Sequence, residues 1–260
     1  MDVLYGIHAV EETLRARNRS LDHLEVARER HDHRLQTVID LARESGVSVR
    51  FASREQLDRL ARTKSHQGLV AVVAGKSYSD LDKILSSTKK HQFLLALDSI
   101  EDPHNLGALI RTADGAGVNG VIIPERRAAA VTATVAKTSA GASEHVRIAR
   151  VVNLARTLDE LKAKNIWIVG LDERGQQSYD QLDYNMDCAV VLGAEGHGLH
   201  DLIRNKCDYL VSIPMMGRVP SLNVSVAGAV VMYEIARQRR SAPNEEKKEK
   251  RTRERKGLGS

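Results

Sequence analysis

Beyond residue 92 the chain repeats one pattern: a short, wholly apolar run, a turn rich in glycine or polar residues, then a segment with helical spacing. Apolar strands are expected at Phe93 to Leu97, Val121 to Ile123, Val146 to Ala149, Ile166 to Leu171, Ala189 to Leu192 and Leu210 to Ile213. Strands separated by helices need crossover connections, so they form a largely parallel sheet that collects ligands at the carboxyl ends of its strands. An apolar helix from Asn223 to about Arg239 closes this region.

The first 75 residues alternate on a smaller scale. An amphipathic helix is expected around His8 to Arg17, a strand at Leu24 to Ala27, and a helix from His33 to Ser45 that Gly46 can cap. A strand at Val47 to Phe51 follows, then a helix opened by Ser53 with Gln56 three residues on, then a strand at Leu69 to Val73. The reading is a small α/β domain over 1–75, a polar linker over 76–91 carrying one short amphipathic segment (Leu81, Ile84, Leu85), and a larger α/β domain over 92–240.

With 260 residues, 42% of them hydrophobic, the chain can bury a sizeable core. No run approaches the roughly 18 to 20 apolar residues of a membrane helix, and Met1-Asp2-Val-Leu-Tyr-Gly lacks the order of a secretory signal, so no membrane contact and a cytoplasmic location are expected. The net charge of +5 is unevenly placed: of 39 Lys and Arg and 34 Asp and Glu, residues 237–256 hold 10 and 4, leaving 29 and 30 elsewhere. The excess is thus a basic tail, and residues 241–260 have too little to bury to fold, so they read as disordered. An RNA-binding core would have to gather its cations on one face.

Two patterns are decoys. Gly115-Ala-Gly117-Val-Asn-Gly120 has dinucleotide-binding spacing, but it ends a helix and enters a strand, whereas phosphate binding needs a strand feeding a helix. His31-Asp-His33 with His23 lacks the spacing of a metal site and reads as a polar turn. Cys188 and Cys207 sit among apolar residues and read as structural, so no metal is expected.

Three stretches carry chemistry. In Asn105-Leu-Gly-Ala-Leu-Ile-Arg111, Asn105 opens a helix after Pro103 and Arg111 projects a cation from it, suited to a phosphate or polar substrate. As plain structure the same residues are a helix cap and a surface charge. In Leu192-Gly-Ala-Glu195-Gly-His-Gly198 a carboxylate sits among three glycines after a buried strand, where the backbone can approach a ligand closely; otherwise Glu195 caps the next helix. In Ile213-Pro-Met-Met-Gly-Arg-Val-Pro-Ser221-Leu-Asn223-Val-Ser225 there are more polar groups around one helix start than a cap uses.

Together these stretches resemble the three signature motifs of the SpoU (TrmH-like) RNA ribose methyltransferases, Ser221-Leu-Asn-Val-Ser-Val-Ala227 being the most specific part. The opening Tyr5-Gly-Ile-His-Ala-Val-Glu-Glu-Thr-Leu14 is similar to the start of the RlmB-type 23S ribosomal RNA guanosine 2′-O-methyltransferases. The resemblance implies an α/β protein with a SPOUT-type, trefoil-knotted catalytic domain and a small N-terminal ribosomal-protein-like domain that binds substrate RNA. It implies S-adenosylmethionine as cofactor, large-subunit ribosomal RNA as partner, and a homodimer. Under it the arginines at 15, 17, 19, 28, 30 and 34 are candidates for phosphate contact, while a solvated charged face explains them equally well because Glu25, Glu29 and Asp32 are interspersed. Carried over by motif, the catalytic residues fall on Asn105, Arg111, Glu195, Ser221 and Asn223. The cofactor contacts fall on Gly193, Ile213, Met215 and Leu222.

The chemistry suits such a set. A sulfonium donor releases a neutral thioether, so the protein needs neither metal nor covalent nucleophile, only a ribose hydroxyl held in line with the methyl. The family proposal makes the motif arginine the activating group; arginine holds its proton too tightly for an ordinary base, so Arg111 reads equally as an anchor for phosphate and developing alkoxide. Alternatives are a transfer-RNA ribose methyltransferase, a noncatalytic RNA-binding ribosome-assembly protein, and, on the misplaced glycines alone, a nucleotide-dependent oxidoreductase.

Overall fold

The computed structural model describes residues 1–29, 32–86 and 91–241. Arg30, His31, the tail beyond Ser241 and residues 87–90 of the expected linker lie outside the described residues. Two sheets organise the rest. The first holds β1 (Asp2–Tyr5), β2 (Leu21–Ala27), β3 (Ser48–Ala52) and β4 (Leu69–Val73) in the order β1-β4-β2-β3, with β4 antiparallel to both neighbours and β2 parallel to β3. Helices α1 (Ile7–Ala16) and α2 (His33–Glu44) bury Val10, Leu14, Leu35 and Val38 against one face. Helix α3 (Arg54–Ala61) covers the other through Leu57. Local chemistry sets these boundaries as expected. Ser53 and Gln56 form a reciprocal capping box, and Gly46 follows α2 with a left-handed φ of 73° that other residues adopt at a cost.

The second sheet is entirely parallel: β5 (Phe93–Leu97), β6 (Gly120–Pro124), β7 (Ile148–Val151), β8 (Trp167–Leu171), β9 (Gln177–Ser178), β10 (Cys188–Leu192) and β11 (Tyr209–Ser212), in the order β7-β6-β5-β10-β8-β11-β9. One face carries α5 (Pro103–Ala116), α6 (Ala133–Thr138) and α9 (Val224–Ser241); the other carries α4 (Leu81–Leu85), α7 (Leu154–Ala163) and α8 (Asp201–Arg204). Gly228 lets α9 lie close, since a Cβ there would stand 2.6 Å from Leu109 and 2.7 Å from Leu192. Gly117 caps α5 in the left-handed region and Gly120 opens β6, so these glycines end a helix.

Two strands escaped sequence reading: β1 is four residues long and β9 two, too short for any periodicity. β7 begins two residues after its expected start because a 3-10 turn over Ala142–Glu144 captures the Val146 N–H for the Ala142 carbonyl. Residues 76–86, read as linker, pack along the second sheet: the Ser79 N–H donates to the Ile148 carbonyl, and Ile84 is fully buried beneath Gly120.

The two sheets meet at a buried charge cluster. Glu144, 2% exposed, accepts both arms of the Arg19 guanidinium, Nε at 3.0 Å, and lies 3.6 Å from the Lys76 ammonium. Asn18 donates to the Glu144 carbonyl at 2.6 Å and Lys76 to the Ser143 carbonyl at 2.6 Å. Burial holds the Lys76 ammonium below the usual lysine range, with Glu144 pulling the other way. Arg19 is therefore spent on this junction, which corrects its expected place among the phosphate contacts.

Glu144→Ala leaves two buried cations without a counter-ion, so it should lower unfolding free energy by about 3–5 kcal/mol in urea titrations. Cys188 and Cys207 are free, and burial pushes their thiols up to about 11 and about 12. Neither should react appreciably with iodoacetamide at pH 8 in the folded protein, and both should react once it is unfolded.

Candidate active site

The first motif leaves the buried strand β5 through Asp98 and a left-handed Ser99. Asp102 caps α5 by accepting from the His104 N–H at 2.9 Å and Pro103 takes the first helical position, so Asn105 is not the cap. Asn105 points inward, 7% exposed. Arg111 is six residues further along α5, which turns it about 120° away from Asn105. It is exposed and lines neither cavity described below.

The second motif folds back on itself. Gly196 and Gly198 take left-handed φ of 79° and 64°, and the Gly198 N–H returns to the Ala194 carbonyl at 3.0 Å. A Cβ at Gly193 would stand 2.1 Å from the Gly198 backbone, so only glycine lets the two arms pass. Glu195 does not cap α8, which starts at Asp201 without a side-chain cap; its carboxylate accepts from the Asn223 amide.

The third motif brings the others together. The Asn223 NH2 group donates to the Asn105 side-chain oxygen at 3.1 Å and to Glu195, while its oxygen accepts from the Ser225 N–H at 2.9 Å and hydroxyl at 2.6 Å. Asn223 thus caps α9 and ties one polar residue from each of the other two motifs, over 118 positions of sequence, into a single junction. Ser221 is exposed and makes no part of that junction.

A cavity lies on each side. The larger, about 360 Å3, opens at the carboxyl ends of β8, β10 and β11, and includes Gly193, Ile213, Met215, Ser221 and Leu222 in its wall. The smaller, about 350 Å3, is bounded by Asn105, Arg127, His197 and His200. Ala194, Glu195, His197 and Val224 belong to both walls.

Sequence reasoning overlooked the residues that hold this loop in place. Asp98, 6% exposed, accepts from the His200 N–H at 2.9 Å and ring Nδ1 at 3.0 Å, pinning the loop exit to β5. Asp172 accepts from Arg204 Nε at 3.0 Å, and Arg204 in turn donates to the Leu199 carbonyl at 2.7 Å. Each aspartate directly follows a buried strand, and a carboxylate there in the sequence is the signal that was available. Arg127, with a left-handed φ of 56°, carried no signal. Among the described residues no group of three or more His, Cys, Asp or Glu could hold a metal ion, and no helix is long and apolar enough to cross a membrane.

Residues 92–233 match the SpoU rRNA Methylase family, and residues 3–79 match the substrate-binding domain of RNA 2′-O ribose methyltransferases. The chain belongs to the SpoU family of RNA 2′-O-methyltransferases. It is 45% identical over 241 residues to the putative TrmH family tRNA/rRNA methyltransferase YacO of Bacillus subtilis, covering 92% of this chain and 96% of that one. It is 46% identical over 238 residues to the 23S rRNA (guanosine-2′-O-)-methyltransferase RlmB of Bordetella pertussis, covering 91% and 97%. The crystal structure of the SpoU methyltransferase AviRb from Streptomyces viridochromogenes in complex with AdoMet superposes with a TM-score of 0.78 at 26% identity, covering 92% and 91%. The SpoU fold and the two-part architecture expected from sequence are confirmed.

Gly193→Ala forces the loop arms apart and should lower unfolding free energy by about 1–3 kcal/mol, read from the urea midpoint.

Proposed function

We propose that this SpoU-family protein transfers a methyl group from S-adenosylmethionine to the ribose 2′-oxygen of a guanosine in large-subunit (23S) ribosomal RNA. The observation that carries the reading is the Asn223 junction with Asn105 and Glu195, standing between two cavities that share a wall. A methyl donor on one side and a nucleotide on the other would meet there. The RlmB relative supports the choice of target, since this chain spans nearly its whole length.

The larger cavity fits the cofactor. Its size is that of a small-molecule site. Leu171, Leu192, Ile213 and Leu222 offer an apolar wall for an adenosyl group, the Gly193 to Gly198 backbone offers close polar contacts, and Glu195 offers a carboxylate to a cationic sulfonium. When bound, S-adenosylmethionine supplies an electrophilic methyl with a neutral leaving group. The chain's own work is then positioning. Asn223 holds the Glu195 carboxylate toward the shared wall, leaving it oxygen lone pairs to orient an incoming hydroxyl and receive its proton.

Arg111 lies outside both cavities, so its part in catalysis requires a second copy of the chain to deliver it or to carry substrate to it. The homodimer belongs to this reading. Supporting it, Val226 and Tyr233 on α9 are 49% and 55% exposed beside α5, the helix that carries Arg111. Arg111 would anchor substrate phosphate and stabilise the developing alkoxide. Residues 1–75 would present the RNA, 76–91 connect, and 92–240 carry the reaction, with the segment between β10 and α9 threaded as the trefoil knot. The reaction would take place in the cytoplasm. A transfer-RNA substrate is the second reading, favoured by relatives named for both tRNA and rRNA.

The test is transfer of labelled methyl from S-adenosylmethionine to unmodified large-subunit ribosomal RNA and, separately, to transfer RNA, with the modified nucleotide mapped. Label on a guanosine 2′-oxygen of the large RNA is expected; label confined to transfer RNA would overturn the substrate. Arg111→Ala should reduce turnover by about 100-fold to 1,000-fold while calorimetry shows cofactor affinity unchanged. Equal loss of both would remove Arg111 from the reaction.

A further inference from the structure

The first sheet reaches the second through β1, whose neighbour across the junction is α6, while β3 forms the opposite edge. At that far edge lies an open cleft of about 470 Å3 that the reaction does not use, bounded by Glu25, Arg28, Arg50, Phe51, Gln56 and Arg59. Three strand spacings separate it from β1, about 14 Å.

Three other arginines in this half of the chain are spent on carboxylates. Arg15 is paired with Glu11, Arg43 with Asp40 and Arg19 with Glu144. Arg28, Arg50 and Arg59 have no ion-pair partner among the described residues. Arg28 Nε donates to the Phe51 carbonyl at 3.3 Å and Arg59 Nε to the Glu55 carbonyl at 3.2 Å. Each of these two side chains is thereby steadied at its Nε while its terminal nitrogens have no hydrogen bond among the described residues, the state that suits a guanidinium to phosphate. Glu25, the cleft's one carboxylate, has His23 Nε2 at 3.6 Å. Phe51, between Arg50 and Ala52 on this edge strand, is 47% exposed and projects from the opposite face of the sheet to both.

We propose that this cleft is a second RNA contact, in which phosphodiester groups of a single-stranded segment sit on Arg28, Arg50 and Arg59 and a base of the same segment, carried round the free edge of β3, stacks on Phe51. Unpaired cations and an exposed aromatic ring on the two sides of one free edge are what sequence-tolerant single-strand binding needs. The proposal rests on the reading of residues 1–75 as the part that holds RNA. It extends that reading to a footprint reaching well beyond the nucleotide being modified.

The experiment uses the full chain and a fluorescein-labelled, mixed-sequence single-stranded RNA, with binding followed by anisotropy across a sodium chloride series. Arg50→Ala/Arg59→Ala should flatten the slope of log affinity against log salt by about 1.4, the loss of two single-strand phosphate contacts. Phe51→Ala should weaken binding roughly fivefold or more with the slope unchanged. Arg156→Ala, which removes an exposed arginine paired with Glu160, should alter neither. An unchanged slope in the double variant, wild-type preference for the same sequence as a duplex, or no RNA binding by wild type would each overturn the cleft. Methyl transfer is measured in parallel. Wild type that binds RNA with this sensitivity but transfers no methyl would reject the proposed reaction and leave the cleft standing; transfer that persists while binding ignores the three side chains would do the reverse.

Discussion

Strand β10 is hydrogen-bonded on both sides by parallel neighbours, β5 and β8, and every one of its five residues is buried. A strand so enclosed has no freedom of register, and the chain must leave it at the same end as both neighbours. This places Asp98 from β5, Asp172 from β8 and Gly193 from β10 around one opening. The Gly193 to Gly198 loop then has a single way out, its arms so close that a Cβ on Gly193 would stand 2.1 Å from the Gly198 backbone. The Asn223 junction, both cavities and the approach of α9 follow from that exit.

A second constraint sits at the junction of the two sheets. The cluster of Arg19, Lys76 and Glu144 is nearly dry, and two cations on one carboxylate add little net stability compared with apolar packing. Its effect is on orientation, because a buried charge tolerates few alternative partners. Docking of the first sheet is thus tied to one arrangement, which sets where the β1 edge and the β3 edge stand relative to the reaction site.

The elements with strong periodicity were legible in the sequence. Strands Phe93–Leu97 and Leu69–Val73 have the boundaries their apolar runs announce, and the Ser53 and Gln56 capping box formed as its spacing requires. The short strands β1 and β9 were not legible, since two to four residues carry no period, and β7 lost its first residues to a turn that competes for the same N–H. In the candidate site, the Asn105, Glu195 and Asn223 association was foreshadowed by motif resemblance, and the structure supplied its hydrogen bonds. Asp98 and Arg204 were passed over because their partners, His200 and Asp172, lie 102 and 32 positions away.

By itself the sequence determined the parallel α/β character of residues 92–240, through apolar runs that only a doubly covered sheet can bury, and the glycines that permit the tight loop. Tertiary structure alone decided which polar residues act together. Helical phase turned Arg111 away from Asn105 although both stand on one helix. Burial diverted Arg19 from any phosphate to Glu144. Sheet order left Arg28, Arg50 and Arg59 near a free edge without an ion-pair partner among the described residues. Each outcome depends on distances between residues far apart in the chain, and composition and local spacing carry no information about those.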